Sequence, residues 1–263
     1  MEYAGLLLAV LIGFTLGLLG GGGSILAVPV FVYVFSLDPK LAMAASLAVV
    51  GITSFVGSIP HSKAGNLDLR TASLFALSSI AGSWGGVELG LLSPDVVRMI
   101  VFGIVMLGAA VMMLRGKKTG DEAPGTSASA LALVAGGLGV GLLIGFVGVG
   151  GGFMYVPALV FLVGMPMNRA VGTSLMIIGI SSVVALIRNV LDQEVREGFL
   201  TAQIGDLALI PALLIFTALM FGGVFAGSAV VGKVKPNKLR RWFAIFLIVM
   251  AVFILVKEIA SSL

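Results

Sequence analysis

The sequence contains no cysteine and a single histidine, His61. Without thiols the chain forms no disulfide bond and has neither a thiolate metal ligand nor a cysteine nucleophile. One imidazole does not build a transition-metal cage, so we expect no metal site and no cofactor. Charged residues make up only 11% of the chain, against about a quarter of an ordinary soluble domain. So few reactive groups argue against a catalytic site, and we expect that the protein is not an enzyme.

Hydrophobic residues, in contrast, make up 59% of the chain, and the mean hydropathy is +1.17. The apolar runs are long enough for membrane helices, whereas a barrel would show short segments of alternating polarity. The basic residues lie mostly in short loops, which indicates membrane orientation and no nucleic-acid partner. The sequence predicts an all-α polytopic membrane protein with about eight hydrophobic segments: 3–35, 41–59, 71–92, 95–115, 128–164, 170–187, 202–231 and 239–260.

The two halves of the chain resemble each other. Residues 13–61 align with residues 141–189 without a gap. Shared hydrophobicity alone would not align glycines, a proline and serines together, so we predict two repeats, 1–115 and 128–263, joined by a cytoplasmic linker at 116–127. The matching residues are Gly13, Gly17, Gly20, Gly22, Gly23, Pro29 and Ser46 with Gly141, Gly145, Gly148, Gly150, Gly151, Pro157 and Ser174.

The charges predict that the second repeat is inverted relative to the first. Basic residues cluster at 115–118 and 233–241, and both clusters should be cytoplasmic. Two loops on the same side of the membrane must be separated by an even number of crossings. Because three hydrophobic segments separate these two clusters, one segment must return to the side it left. Segment 128–164 is the best candidate, and 3–35 should do the same, although 202–231 is also long. We expect inner-membrane location, with the N-terminus and the C-terminus outside.

Consecutive glycines interrupt both of these segments, at Gly20–Gly23 and Gly150–Gly152. A helix that breaks inside a membrane leaves backbone N–H groups without partners, and a helix N-terminus attracts anions. We interpret the tracts as breaks that create helix starts near Ser24 and Phe153. The spaced glycines, such as Gly13 and Gly17, are better explained by close helix packing.

The paired glycine-rich element that ends in Pro29 and in Pro157 resembles the TauE/SafE family, over essentially the whole chain. This family consists of bacterial membrane permeases for sulfite and for organosulfonates such as sulfoacetate. The resemblance implies a small anion with a sulfur oxyanion or carboxylate group. The helix starts independently indicate an anion, whereas sulfur is implied by the resemblance alone.

Hydroxyl residues at helical spacing could line the anion path. Ser46 and Thr53 share one helix face, and Thr173 and Ser174 begin the matched helix. The alternative is that these hydroxyls bond the carbonyls of their own helices. The candidate substrate-binding residues are Gly20, Gly21, Gly22, Gly23, Ser24, Ser46, Thr53, Gly148, Gly150, Gly151, Gly152, Phe153, Thr173 and Ser174.

Ionisable residues inside membrane segments are rare and often functional. Glu88, Asp206 and His61 are the candidates for proton coupling. The alternative for each is a structural position at the membrane interface.

The features together predict a secondary transporter that moves small anions by alternating access around a site made by helix N-termini. The alternative is a passive anion channel built from the same elements. The expected partners are the anion, the lipid bilayer and protons, and a homo-oligomer is compatible with the sequence.

Overall fold

A computed structural model describes residues 3–115, 129–147, 152–204 and 207–262. Within these ranges the chain is almost entirely helical, and two short strands form an antiparallel hairpin. The elements are α1 (Tyr3–Leu19), α2 (Gly22–Pro29), a π-helix (Val30–Val34), α3 (Pro39–Lys63), α4 (Leu69–Leu91), α5 (Asp95–Arg115), α6 (Ala130–Val147), a 3₁₀ turn (Gly152–Met154), α7 (Tyr155–Phe161), α8 (Met167–Val190), α9 (Gln193–Thr201), β1 (Gln203–Ile204), β2 (Leu207–Ala208), α10 (Leu209–Val231) and α11 (Pro236–Ser262).

Among the described residues, seven helices are long and apolar enough to cross a membrane: α3, α4, α5, α6, α8, α10 and α11. Shorter apolar helices cover Gly5–Leu19, Gly22–Val34 and Gly152–Phe161. The protein is therefore an all-α polytopic membrane protein, which confirms the class predicted from composition.

The two segments predicted to be hairpins both turn back on themselves. After α1, the chain reverses through α2 and the π-helix, and the ring of Phe35 returns to Gly5. A Cβ on Gly5 would lie only 2.5 Å from Cζ of Phe35. In the second segment, Leu162 returns to Gly136, where a Cβ would lie 3.4 Å from Cδ1 of Leu162. Each segment therefore ends near the level at which it began.

Pro29 explains why α2 continues as a π-helix. Proline has no backbone N–H, and its ring crowds the carbonyl one turn earlier in the helix. Beyond it the bonding widens to the π register, in which the N–H of Phe35 donates to the carbonyl of Val30 at 3.2 Å. The proline thus reshapes the returning arm of the hairpin without ending it.

Segment 202–231, which was the other candidate for re-entry, does not turn back. It begins with the β1–β2 hairpin, and α10 then runs as one helix from Leu209 to Val231. Pro211 lies in the first turn of α10, where its missing N–H has no intrahelical partner to lose. Gly222 and Gly223 lie within the helix. The re-entrant alternative for this segment is therefore wrong.

Spaced glycines let two pairs of helices pack in parallel, with their residue numbers rising together. A Cβ on any of these glycines would collide with the backbone of the neighbouring helix, so the packing interpretation is confirmed. Helix α1 lies along α10, and α6 lies along α4. The contacting pairs are Gly13 with Met220, Gly17 with Val224, Gly141 with Ser79 and Gly145 with Ser83.

Helices α3 and α8, which occupy matching places in the two halves, cross in opposite directions. Gly51 lies against Ser182, whereas Gly179 lies against Phe55 and Gly172 against His61. If the two halves are exchanged, α1 takes the place of α6 and α10 takes the place of α4, so the α1–α10 contact becomes the α6–α4 contact. Helices α3 and α8 take each other's places, so their contact is unchanged. An inverted duplication predicts this pattern. The inverted repeat, with its halves 1–115 and 128–263, stays a prediction, and the linker 116–127 lies outside the described residues.

Candidate functional site

The first break lies at Gly20 and Gly21, two adjacent glycines with different backbone conformations. Gly20 ends α1, since its N–H donates to the carbonyl of Leu16 at 2.8 Å and its φ is +67°, a region that side chains disfavour. Gly21 then caps the start of α2 in an extended conformation. The new helix thus begins at Gly22, two residues before the predicted start near Ser24.

The second glycine tract lies only partly within the described residues. Gly148, Gly150 and Gly151 are outside them, whereas Gly152 opens the 3₁₀ turn that leads into α7. Within the described residues, helical structure therefore begins at Gly152, one residue before the predicted start near Phe153.

The two interrupted segments touch each other inside the protein. A Cβ on Gly21 would collide with the backbone of Gly152 and would lie 2.9 Å from Cα of Phe153. A Cβ on Gly152 would lie 2.7 Å from Oγ of Ser24. Gly20 to Ser24 and Gly152 to Phe153 are all buried. This arrangement brings the first turn of α2 into a shielded centre. Of the N–H groups in this turn, that of Ser24 donates to the carbonyl of Gly21 at 3.3 Å, whereas a helix leaves the N–H groups of its first residues without intrahelical acceptors.

Two of the predicted donors bond backbone carbonyls at the break. Ser24 Oγ donates to the carbonyl of Gly21 at 2.7 Å. Ser174 Oγ lies 2.6 Å from the carbonyl of Gly20 and 2.8 Å from that of Val171. One hydroxyl hydrogen serves one acceptor at a time. In this conformation, both serines stabilise the broken ends of the helices.

The remaining predicted residues are dispersed around this centre. Ser46 Oγ donates to the carbonyl of Met43 at 2.8 Å, within its own helix. Thr173 Oγ1 accepts the N–H of Asp68 at 3.1 Å and so holds the α3–α4 loop. The ring of Phe153 packs edge-on against Phe102, with centroids 5.4 Å apart. Only the backbone of Phe153 therefore approaches the break.

Thr53 differs from these residues because its hydroxyl is both enclosed and unbonded. The side chain is fully buried, and Oγ1 has no hydrogen-bond partner within the part of the chain that the structure describes.

The three proton-coupling candidates do not converge. Glu88 is exposed near the end of α4. His61 is buried, at 3% exposure, close to the end of α3 and beside Gly172. Asp206 lies outside the described residues. Neither Glu88 nor His61 belongs to the contact between the two breaks.

A buried hydroxyl cluster near the second break was not predicted. Tyr155 is buried in the first turn of α7, and its hydroxyl lies 3.0 Å from Ser79 Oγ and 3.3 Å from Ser181 Oγ. Its ring packs edge-on against Phe75. The sequence did contain a signal, because a tyrosine stands here where the aligned position of the first half holds Ala27.

The resemblance to known proteins extends over most of the chain. A model of the sulfite exporter TauE/SafE family matches residues 5–254. A "Probable membrane transporter protein" of Haemophilus influenzae is 30% identical over an alignment 267 residues long, and the alignment covers 96% of this chain and 97% of that protein. A protein of the same name from Xylella fastidiosa is 36% identical over 178 residues, which cover 64% of this chain and 66% of the relative. No solved structure matches the chain.

The matched residues include both interrupted segments and all the helices that pack around them. Both relatives are named as membrane proteins, and the described residues of this chain form seven helices that are long and apolar enough to cross a membrane. The chain therefore belongs to the sulfite exporter TauE/SafE family and is a membrane transporter.

Proposed function

We propose that the protein is a secondary transporter of small anions, with sulfite or an organosulfonate such as sulfoacetate as the substrate. The anion binds where the interrupted segments meet, next to the N–H groups in the first turn of α2. The contact of Gly21 with Gly152 carries this proposal, because it joins two helix starts in the interior. The family match supports the sulfur oxyanion.

The burial of this centre supports alternating access. Gly20 to Ser24, Gly152 and Ser174 are all buried, so an anion needs a second conformation to enter or leave. The antiparallel crossing of α3 and α8 supports rocking of two related halves around the site. The sequence holds no nucleotide-binding motif, so the proton gradient or the membrane potential is the proposed energy source.

Flux into proteoliposomes tests this function. The purified protein should take up radiolabelled sulfite, sulfoacetate, sulfate or acetate, measured with and without a pH gradient and a membrane potential. A transporter should also accelerate uptake when the vesicles are preloaded with unlabelled anion, and show no unitary conductance in planar bilayers. Conductance without such exchange would instead establish the channel, and no flux of any anion would refute both functions.

A further inference from the structure

The hydroxyl contacts of Tyr155 connect three helices of the protein, and the aligned residues of the first half differ from them. Because Tyr155 donates to Ser181, the remaining bond to Ser79 has the serine as its donor. The phenol group thus joins α4, α7 and α8 through one chain of hydroxyls. Its ring and hydroxyl together fill the space between these helices.

The aligned residues of the first half cannot form this cluster. A shift of 128 positions, the difference between Gly13 and Gly141, places Ala27 at the position of Tyr155 and Thr53 at that of Ser181. Gly13 packs against Met220, and its aligned counterpart Gly141 packs against Ser79, so Met220 corresponds to Ser79. A methyl group and a thioether thus replace the phenol and the serine.

Thr53, the first-half counterpart of Ser181, and the adjacent Ser54 on α3 are both fully buried, and neither hydroxyl has a hydrogen-bond partner within the described ranges. Helices α2 and α3 pack together, and Ala27 is also fully buried. A buried hydroxyl without a hydrogen bond costs stability, and such groups call for an explanation. A bound solute could supply the acceptor that Ala27 does not.

We infer that the two halves are functionally unequal: the anion binds in the first half, where Thr53 donates its hydroxyl hydrogen to an oxygen of the substrate. Tyr155 closes the equivalent position of the second half, so the duplicated fold keeps one binding site. This inference rests on the proposed anion transport. Threonine hydroxyl and first-turn N–H groups are neutral donors, and they suit a sulfite, sulfonate or carboxylate oxygen.

Substitutions at the two aligned positions should have opposite effects. Thr53→Val keeps the shape of the side chain and removes the donor. It should raise the apparent KM about tenfold, which is a usual consequence of losing a hydrogen bond to a charged group. Its melting temperature should stay level or rise, because the unpaired buried hydroxyl of Thr53 is removed. Thr53→Ser keeps the donor and should keep KM within about twofold of the wild type.

Ser181→Ala and Tyr155→Phe are the matched controls in the second half. Each removes a bond of the hydroxyl chain, so each should lower the melting temperature in detergent while leaving KM unchanged. The assay uses the anion of the proteoliposome panel that the wild-type protein transports fastest. Melting is followed on the same purified samples.

Three results would overturn the inference. Thr53→Val with an unchanged KM would remove the donor role, with or without a lower melting temperature. Ser181→Ala with an equally raised KM would show that both halves bind substrate. Uptake of none of the anions by the wild-type protein would refute anion transport itself, and this is known before any variant is measured.

Discussion

At the scale of single residues, the adjacent glycines of the first break have separate structural roles. Gly20 allows the positive φ that ends α1, and the absence of a side chain at Gly21 allows the second interrupted segment to approach. Gly22 is less constrained. A Cβ there would lie 3.1 Å from a ring carbon of Phe246 and 3.2 Å from Cδ1 of Leu19, both of which are side-chain atoms.

This difference predicts that Gly21 is far less tolerant of substitution than Gly22. Gly21→Val pushes the two segments apart, because its side chain meets the backbone of Gly152. We expect flux to fall at least about tenfold and the melting temperature to drop, as overpacking costs about 1–3 kcal/mol. Gly22→Ala should retain most of the flux. Both are measured in proteoliposomes at equal protein density.

Gly222→Ala is the control for this comparison, because a Cβ at Gly222 meets nothing within 4 Å. It should transport at the wild-type rate and be slightly more stable, since alanine favours helix by up to about 1 kcal/mol. Equal flux from Gly21→Val and Gly222→Ala would contradict the proposed site.

Sequence reasoning located the break but not the partners of its hydroxyls. Glycine identities are visible in a sequence, and four in succession inside an apolar run are enough to predict an interruption. One of the two carbonyls within reach of Ser174 Oγ is that of Gly20, 154 positions away in the chain. Such a bond depends on how α8 packs on α1, which local patterns do not encode.

At the scale of elements, ion pairs join the connecting segments to the crossing helices α3 and α8. Lys40 Nζ, near the start of α3, lies 2.6 Å from Oε2 of Glu194 on α9. Beyond the other end of α3, Asp68 Oδ2 lies 3.7 Å from Nη2 of Arg169 on α8. Exposed pairs contribute only about 0–1 kcal/mol each, so such contacts can break and re-form during a transport cycle.

Cross-linking across the first pair should therefore slow transport. The chain has no native cysteine, so Lys40→Cys combined with Glu194→Cys introduces the only two thiols. A short, reducible bifunctional reagent should lower flux several-fold by holding α9 against α3, and reduction should restore it. Each single variant treated with the reagent is the control. Full flux from the cross-linked protein would show that α3 and α9 do not separate.

The helical segments themselves were largely predictable, because long apolar runs and prolines mark them. The structure differs where the bonding pattern changes without a change in hydropathy. The π-helix after Pro29 and the β1–β2 hairpin before α10 are such places. Ile204, Leu207 and Ala208 are apolar like the helix that follows them, and composition alone does not distinguish a short hairpin from a helix end.

At the scale of the whole molecule, the predicted orientation has a direct test. A cysteine at Lys117, in the basic stretch 115–118, should react with a membrane-impermeant maleimide only from the cytoplasmic side. Leu92→Cys, at the exposed end of α4, should be labelled only from outside. Intact cells and inverted vesicles provide the two sides. Labelling of Lys117→Cys in intact cells would overturn the orientation.

The predicted duplication agrees with the pattern of helix contacts in the structure. The spaced glycines predicted close helix packing, and the aligned Gly13 and Gly141 both pack against the backbone of a parallel neighbour. The identity of that neighbour was not predictable, since nothing local associates α1 with α10. The inequality of Ala27 and Tyr155 was visible in the sequence, but its meaning required the hydroxyl contacts of Tyr155.

The pairing of α1 with α10 also has a consequence for biogenesis. Helix α6 emerges from the ribosome after its neighbour α4, and it can dock as soon as it enters the bilayer. Helix α1 is made before α2 to α9, while α10, the helix that Gly13 and Gly17 require, is translated after them. The hairpin that α1 begins must therefore wait, incompletely packed, until α10 is made, and we expect it to depend more on insertion factors than the α6 hairpin does.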